Sequence, residues 1–285
     1  NTNNTYKTFN SKKSYKTINT KKTKNNKDPS SFDRKFDWTS FRIGSVFKLK
    51  ENVVVYAQFS DAKDPINANI FLVNGGENVD LTDAEQWEVG LKAVLAGDRL
   101  EATVAYFDIQ RDDVLEQIGI DRAANVGGRE SDGIEFTATW AATSHLQLSI
   151  NMAYTNAEFS RSTNFQDFAG NTPPNVPERT GNFWASYEFS GLPLTVGAAY
   201  RYVGDRFGDN ANNVTLRSYS LIDAFASWRH KNITISARVN NLADEEYVAW
   251  SDVFYLGQND PSFIYANQLL IGAPRTFELS VAASL

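Results

Sequence analysis

VNNLADEEYVAW, Val239 to Trp250, runs through two asparagines into three consecutive acids, Asp244, Glu245 and Glu246, and then to two aromatics, Tyr247 and Trp250. Such a run reads either as a carboxylate cluster for a metal or for acid–base chemistry, or as a strand leaving one solvent for another. Just upstream, NITISARVNN puts Ile233, Ile235, Ala237 and Val239 on one face and Thr234, Ser236, Arg238 and Asn240 on the other. A period of two is a strand, so the acids stand where that strand ends. They also lack the alternating ligand spacing of a calcium loop, which makes a solvated strand exit the better account.

The same alternation recurs. In LQLSINMAYT, Leu146, Leu148, Ile150, Met152 and Tyr154 share a face opposite Gln147, Ser149, Asn151, Ala153 and Thr155. In GIEFTATWAA, Ile134, Phe136, Ala138 and Trp140 oppose Glu135, Thr137, Thr139 and Ala141. The pattern predicts roughly eleven strands, near 38–49, 52–60, 84–96, 98–110, 130–142, 145–158, 179–190, 193–204, 217–229, 231–241 and 273–285. Each is close to the ~9–11 residues that a tilted strand needs to cross a bilayer. The 217–229 segment alternates least cleanly, and no amphipathic helix stands out.

The connections between these strands alternate in length: short at 50–52, 97–98, 143–144, 190–192 and 230–231, long at 61–83, 111–129, 159–178, 205–216 and 242–272. Strict alternation puts every long loop on one side of the sheet, as in outer-membrane barrels with short periplasmic turns and long extracellular loops. A soluble β-sandwich or propeller also alternates apolar and polar residues, but it gives no reason for this sidedness. Nor does it explain why Trp140, Tyr154, Trp184, Tyr187, Tyr200, Tyr202 and Trp228 recur near strand ends, where amphipathic rings suit a membrane interface. A transmembrane antiparallel barrel is therefore the favoured all-β reading, with the soluble one as its rival.

Composition narrows the chemistry. The chain has 285 residues, no cysteine and two histidines, so disulfides, thiolate metal sites and cysteine nucleophiles are excluded. No run approaches the roughly 20 apolar residues of a membrane-spanning helix, and the start, NTNNTYKTFN, has no signal-peptide pattern. Residues 1–36 hold ten Lys/Arg against two Asp/Glu, which leaves 18 basic and 32 acidic residues for the rest. This basic, low-complexity segment, taken to residue 37, predicts an extracellular loop or disorder. With no aromatic–basic stacking platform beside it, it does not indicate a nucleic-acid partner.

No catalytic or resident metal site emerges. His145 and His230 sit beside short turns without the spacing of a metal pair or a nucleophile's base. Glu135 and Glu278 lie on polar strand faces, and Gly75-Gly76 and Gly127-Gly128 fall in expected loops without a phosphate-cradling pattern.

Seven stretches, in order, resemble the C-terminal half of the barrel of TonB-dependent outer-membrane receptors, siderophore branch. They are DAEQWEVGLKA (83–93), GGRESDGIEFTATW (127–140), PPNVPERTGNFWASYEF (173–189), AAYRYVGDRFGDNANN (198–213), SYSLIDAFASW (218–228), VNNLADEEYVAW (239–250) and GAPRTFELSVAASL (272–285). The chain departs from the family in three places. Trp87 stands where Tyr is usual, Leu285 and Ala283 stand where a terminal Phe and an aromatic are usual, and residues 1–36 match nothing.

The resemblance implies a 22-stranded barrel closed around a plug domain, of which residues 38–285 supply about half the strands and none of the plug. It implies a receptor and transporter with no enzymatic activity, which takes up ferric siderophores on energy relayed through TonB. Iron would be held by the siderophore, so no cofactor is expected of the chain. Expected partners are the ferric siderophore, the TonB complex through the plug, outer-membrane lipid and the barrel-assembly machinery. No family motif fixes the ligand contacts. The long loops offer Phe165, Phe168, Phe207, Trp250, Phe254 and Tyr255 as candidates. Rival functions are TonB-dependent uptake of another ligand (cobalamin, another metal chelate or a sugar), a passive porin-like channel and a soluble interaction module.

Overall fold

A computed structural model describes residues 5–15, 36–64, 79–119, 122–161, 168–254 and 266–283. Among them every regular element is a strand. Twelve form one antiparallel sheet: β1 (Thr5–Tyr15), β2 (Phe36–Lys50), β3 (Val53–Asp64), β4 (Thr82–Leu95), β5 (Leu100–Gly119), β6 (Arg122–Ala141), β7 (Leu146–Arg161), β8 (Arg179–Glu188), β9 (Leu194–Val203), β12 (Tyr219–His230), β13 (Ile233–Asn240) and β16 (Thr276–Ala283). They neighbour one another in chain order, with β1 and β16 at the two edges. Two small hairpins, β10 (Arg206–Phe207) with β11 (Thr215–Leu216) and β14 (Val248–Phe254) with β15 (Ala266–Ile271), stand apart from the sheet's order. All eleven expected strands are present as β2–β9, β12, β13 and β16.

Three expectations need correction. Residues 5–15 of the basic segment pair with β2, from Thr5 opposite Val46 to Tyr15 opposite Phe36, and Phe36 and Asp37 belong to β2. A wall strand is held by backbone bonds to its neighbour, so scarcity of aliphatics, which argues against a buried core, does not forbid it. Residues 16–35 lie outside the described residues. The expected 111–129 loop is mostly strand, because β5 and β6 stay paired up to Gly119 opposite Arg122, with Gly127 and Gly128 inside β6. The third correction concerns Trp184, which the register places on the polar face.

The register sorts the side chains. Leu148, Trp140 and Leu100 lie in one row across β7, β6 and β5, and Ile150, Phe183, Tyr200 and Ile222 lie in another across β7, β8, β9 and β12. Trp140, Phe183, Tyr200 and Ile222 are exposed and Leu100, Leu148 and Ile150 half-buried; Trp87, Val89, Val104, Ile134, Met152 and Trp228 on the same face are exposed too. Near the short turns the face carries Trp140, Tyr187 and Trp228; toward the long loops it carries Trp87, Tyr106, Tyr154 and Tyr200. At this upper level Asp108 faces Trp87 on one side and Asp132 on the other. From Leu100, where β5 begins, to Asp108 the strand advances about 26 Å at ~3.3 Å per residue, which a ~40° tilt turns into roughly 20 Å of height. An apolar band of that height between aromatic girdles is close to the ~25 Å lipid-facing band of an outer-membrane barrel.

The opposite face is polar. Tyr56 donates to Glu88 Oε1 at 2.5 Å, Gln58 Nε2 donates to Glu88 Oε2 at 2.8 Å, and Lys92 stands over the Tyr56 ring. The ring lies where a Cβ on Gly90 would be, 2.5 Å from it. Farther along, Asn182 Nδ2 donates to Asn151 Oδ1 at 2.8 Å, and the Ser227 and Ser236 hydroxyls are 3.0 Å apart. Trp184 joins this face by stacking on Phe225, centroids 6.4 Å apart, with the Phe225 ring lying over Gly197.

The buried core sits at the long-loop end. Phe159, Leu115, Val114, Val79, Leu81, Phe168 and Leu216 are all buried. There loop residues lie against the strand extensions, Asp80 bonded to Asn125 of β6 and residues 170 and 171 to Phe159 of β7. Below that level the sheet is a single layer, which is why so many large apolar residues remain exposed.

Candidate ligand-facing rim and lumen wall

The long-loop end is built by amide side chains standing in for backbone. Asn175, at φ 61, uses both ends of its amide: Nδ2 donates to the Ser251 carbonyl at 2.7 Å and Oδ1 accepts from the Ser251 N–H at 2.8 Å. Ser251, 1% exposed, donates its hydroxyl to the Gly208 carbonyl at 2.9 Å. Asn212, at φ 58, repeats the device on Thr172, accepting from its N–H at 2.9 Å and donating to its carbonyl at 2.8 Å. Asn171 Nδ2 donates to the Asn210 carbonyl at 2.9 Å. Loops 168–178, 205–218 and 242–275 are thereby joined side by side.

Arg206, 4% exposed, ties the same loops from below. Its guanidinium donates to the Val248 and Ala249 carbonyls and lies 5.4 Å from the Tyr219 ring centroid. Tyr219 in turn packs on Tyr247, centroids 4.3 Å apart, and the Tyr247 ring covers Gly272. Between residues 214–219 and residues 244–248 and 269–274 lies a cavity of about 730 Å³, with Tyr219, Tyr247, Leu269 and Ile271 beside Arg217, Glu245 and Glu246.

The quoted stretch is part of this construction. Asp244, Glu245 and Glu246 are exposed, as a strand exit requires, but Asn241 is buried and at φ 51. Its amide donates to the Glu245 and Ala273 carbonyls and accepts from the Glu245 N–H at 2.8 Å. Asp244 accepts from the Arg275 N–H at 2.8 Å and sits 3.6 Å from that guanidinium. The three acids thus stand at a solvated strand exit, and Asn241, where the strand ends, locks the base of the loop.

On the polar face above the apolar band, Arg111 of β5 stands opposite Arg129 of β6. Arg111 pairs with Asp64 at 2.5 Å, and Arg129 lies over the Phe159 ring at 5.3 Å. Burial pushes the Arg129 guanidinium down from its ordinary value; nearby Glu116 opposes the shift and Arg111 adds to it. The Nε atoms of both arginines are buried without a hydrogen-bond partner among the described residues.

Of the sequence candidates, Phe168 is buried, Phe207 is half-buried in β10, and Trp250 is 55% exposed on β14. The hydrogen bonds above bring their three loops together. The backbone of Phe254 ends β14, whereas its side chain, and all of Phe165 and Tyr255, lie outside the described residues. Arg111, Arg129, Arg206 and Asn175 were not singled out by sequence. Asn175 alone carried a signal, as a turn-forming residue just after Pro173 and Pro174. Among the described residues no group of three or more His, Asp or Glu is arranged to hold a metal ion.

The family described as TonB dependent receptor-like, beta-barrel matches residues 6–242. The chain is 28% identical over 229 residues to the probable TonB-dependent siderophore receptor PiuA of Acinetobacter baumannii, covering 74% of this chain and 31% of that protein. It is 29% identical over 232 residues to the ferrichrome outer membrane transporter/phage receptor of Escherichia coli, covering 76% and 29%. The crystal structure of the A. baumannii siderophore receptor PiuA superposes with a TM-score of 0.73 at 23% identity, over 92% of this chain and 38% of that one. The chain thus spans about a third of the length of these relatives. The match over 6–242 also takes in part of the basic segment that sequence reading had set apart. With a polar wall, an apolar outer band and joined long loops already in place, the chain belongs to the TonB-dependent receptor-like β-barrel family, a family of outer-membrane receptors and not of enzymes.

Proposed function

We propose that this chain forms the C-terminal part of the barrel wall of a receptor that takes up ferric siderophores across the outer membrane, energised through TonB. The observation that carries this reading is the likeness, over about three quarters of the chain, to a siderophore receptor and a ferrichrome transporter. In it the joined loops face the outside of the cell and the short turns face the periplasm. The aromatic band marks the lipid, and the polar face looks onto a plug that contacts TonB. The barrel-assembly machinery inserts the wall.

The rim suits such a ligand. Trp250 and Phe207, with the 730 Å³ cavity, offer apolar surface to an organic chelator, and Arg111 and Arg129 offer positive charge to an anionic one. Iron enters as cargo inside its chelator, which asks no metal ligand of the wall.

The test is growth under iron limitation. A strain lacking the full-length receptor that contains this chain loses growth on at least one ferric siderophore and regains it on complementation. Growth on every ferric siderophore tried without the receptor, with loss only on cobalamin, a sugar or another metal chelate, would replace the ligand in this reading.

A further inference from the structure

The lipid-facing side of the wall is not uniform. On β8 the outward position between Arg179 and Phe183 is Gly181, which the register places between Met152 of β7 and Tyr202 of β9. A Cβ built there meets only Met152 Cγ at 3.7 Å and the Asn151 carbonyl at 3.9 Å, both ordinary contacts. The missing side chain opens a recess of about 620 Å³ whose lining is almost wholly apolar. Its walls are Met152, Tyr154, Tyr200 and Tyr202, and the Tyr200 hydroxyl is fixed by the Ser220 hydroxyl at 2.8 Å.

A charge sits at the mouth. Arg179 ends the recess on the long-loop side, level with Tyr154 in the aromatic girdle, with its guanidinium 6.0 Å from that ring and its side chain 68% exposed. Its one ion pair among the described residues runs from Nε to Glu178 Oε2 at 3.9 Å, and neither Nη makes a hydrogen bond there. An apolar slot within the hydrocarbon band, topped by a guanidinium fork at the depth of the headgroups, is complementary to one molecule: a lipid with a phosphate above its chain.

We propose that the recess at Gly181 holds one acyl chain of a phosphate-bearing lipid of the long-loop leaflet, with the phosphate on Arg179. Burial of the chain supplies the holding energy. The guanidinium selects the phosphorylated headgroup and fixes its depth. The proposal rests on the outer-membrane orientation above, but its test is read without any iron chelate, so its failure leaves the transport reading untouched.

The experiment is native mass spectrometry of the full-length receptor extracted in mild detergent, in four forms: unsubstituted, Gly181→Leu to fill the recess, Arg179→Gln to remove the charge, and Ala224→Leu as a substitution elsewhere on the same face. The expected result is a phosphorylated lipid retained by the unsubstituted and Ala224→Leu forms. Retention falls by at least about tenfold in Gly181→Leu and in Arg179→Gln. Dephosphorylated lipid binds the unsubstituted protein as weakly as the native lipid binds Arg179→Gln, and excess inorganic phosphate displaces nothing. Arg179 is exposed, so its variant reports even where Gly181→Leu fails to assemble. Undiminished retention in Arg179→Gln, or in assembled Gly181→Leu, overturns the proposal, as does equal loss in Ala224→Leu.

Discussion

Asn175 and Ser251, 76 positions apart, are joined by two hydrogen bonds, of 2.7 and 2.8 Å, in which one side-chain amide satisfies both the N–H and the C=O of a buried residue. An amide does here what a neighbouring strand does in a ladder, and it holds two long loops together. Asn175→Gly keeps the left-handed backbone at φ 61 and removes only the amide. Each buried backbone group left unpaired costs about 1–3 kcal/mol. Hydrogen exchange at residues 248–252 should accelerate while that of β6 and β7 stays unchanged, and equal protection in the variant would contradict the clamp.

Burial, not charge, should rank the residues of the opening stretch. Asp244 and Arg275 form an ion pair that is about half exposed on both sides, and such a pair contributes roughly 0–1 kcal/mol. Asn241 is 4% exposed and serves three backbone groups. Asn241→Gly, which tolerates φ 51, should therefore lower the unfolding midpoint in denaturant more than Asp244→Gly, which likewise tolerates φ 56, does. The reverse order would return the acids to the centre of the account.

The two faces of the wall can be told apart by one charge. Ala198 lies on the outward face and Asn151 on the inward one. Ala198→Arg should cost about 2–4 kcal/mol in lipid, the depth-dependent penalty for a cation on the lipid side, whereas Asn151→Arg should cost far less. Unfolding in liposomes measures both, and equal penalties would mean that the faces are misassigned.

Gly197 is the floor on which Phe225 reaches Trp184. A Cβ there would stand 2.3 Å from the Phe225 ring and 2.6 Å from the Ala185 carbonyl, so a ring and a backbone atom both have to give. Gly197→Ala should destabilise by about 1–3 kcal/mol and change the fluorescence of Trp184 as its stacking partner moves. An unaltered emission spectrum with unaltered stability would exclude the packing described.

What was legible in the sequence follows from what each feature depends on. Period-two alternation is local, so Leu146 to Tyr154 and Ile233 to Val239 declared their strands, and the lengths of the connections declared the sheet's sidedness. Pairing of β1 depends on the free edge of β2, which nothing within residues 5–15 reveals. Trp184 looked like an interface ring because aromatics at strand ends usually are; only the register with Ala199 and Ser149 turns it inward. The rim was least legible, because Asn175 meets Ser251, and Arg129 meets Arg111 and Phe159, through tertiary contacts between loops and strand extensions. A list of loop aromatics reached Trp250, which is exposed, but put Phe168 beside it, although Phe168 is buried.

The central claim is energised uptake, and the most direct measurement is transport of radiolabelled ferric siderophore by cells making the full-length receptor that contains this chain, with and without functional TonB. Accumulation that needs both the receptor and TonB, and that falls when Arg129 or Trp250 is replaced by alanine in a protein still assembled in the outer membrane, is the predicted result. Accumulation that proceeds equally without TonB, or that never exceeds the level of receptor-free cells for any ferric siderophore, would contradict it.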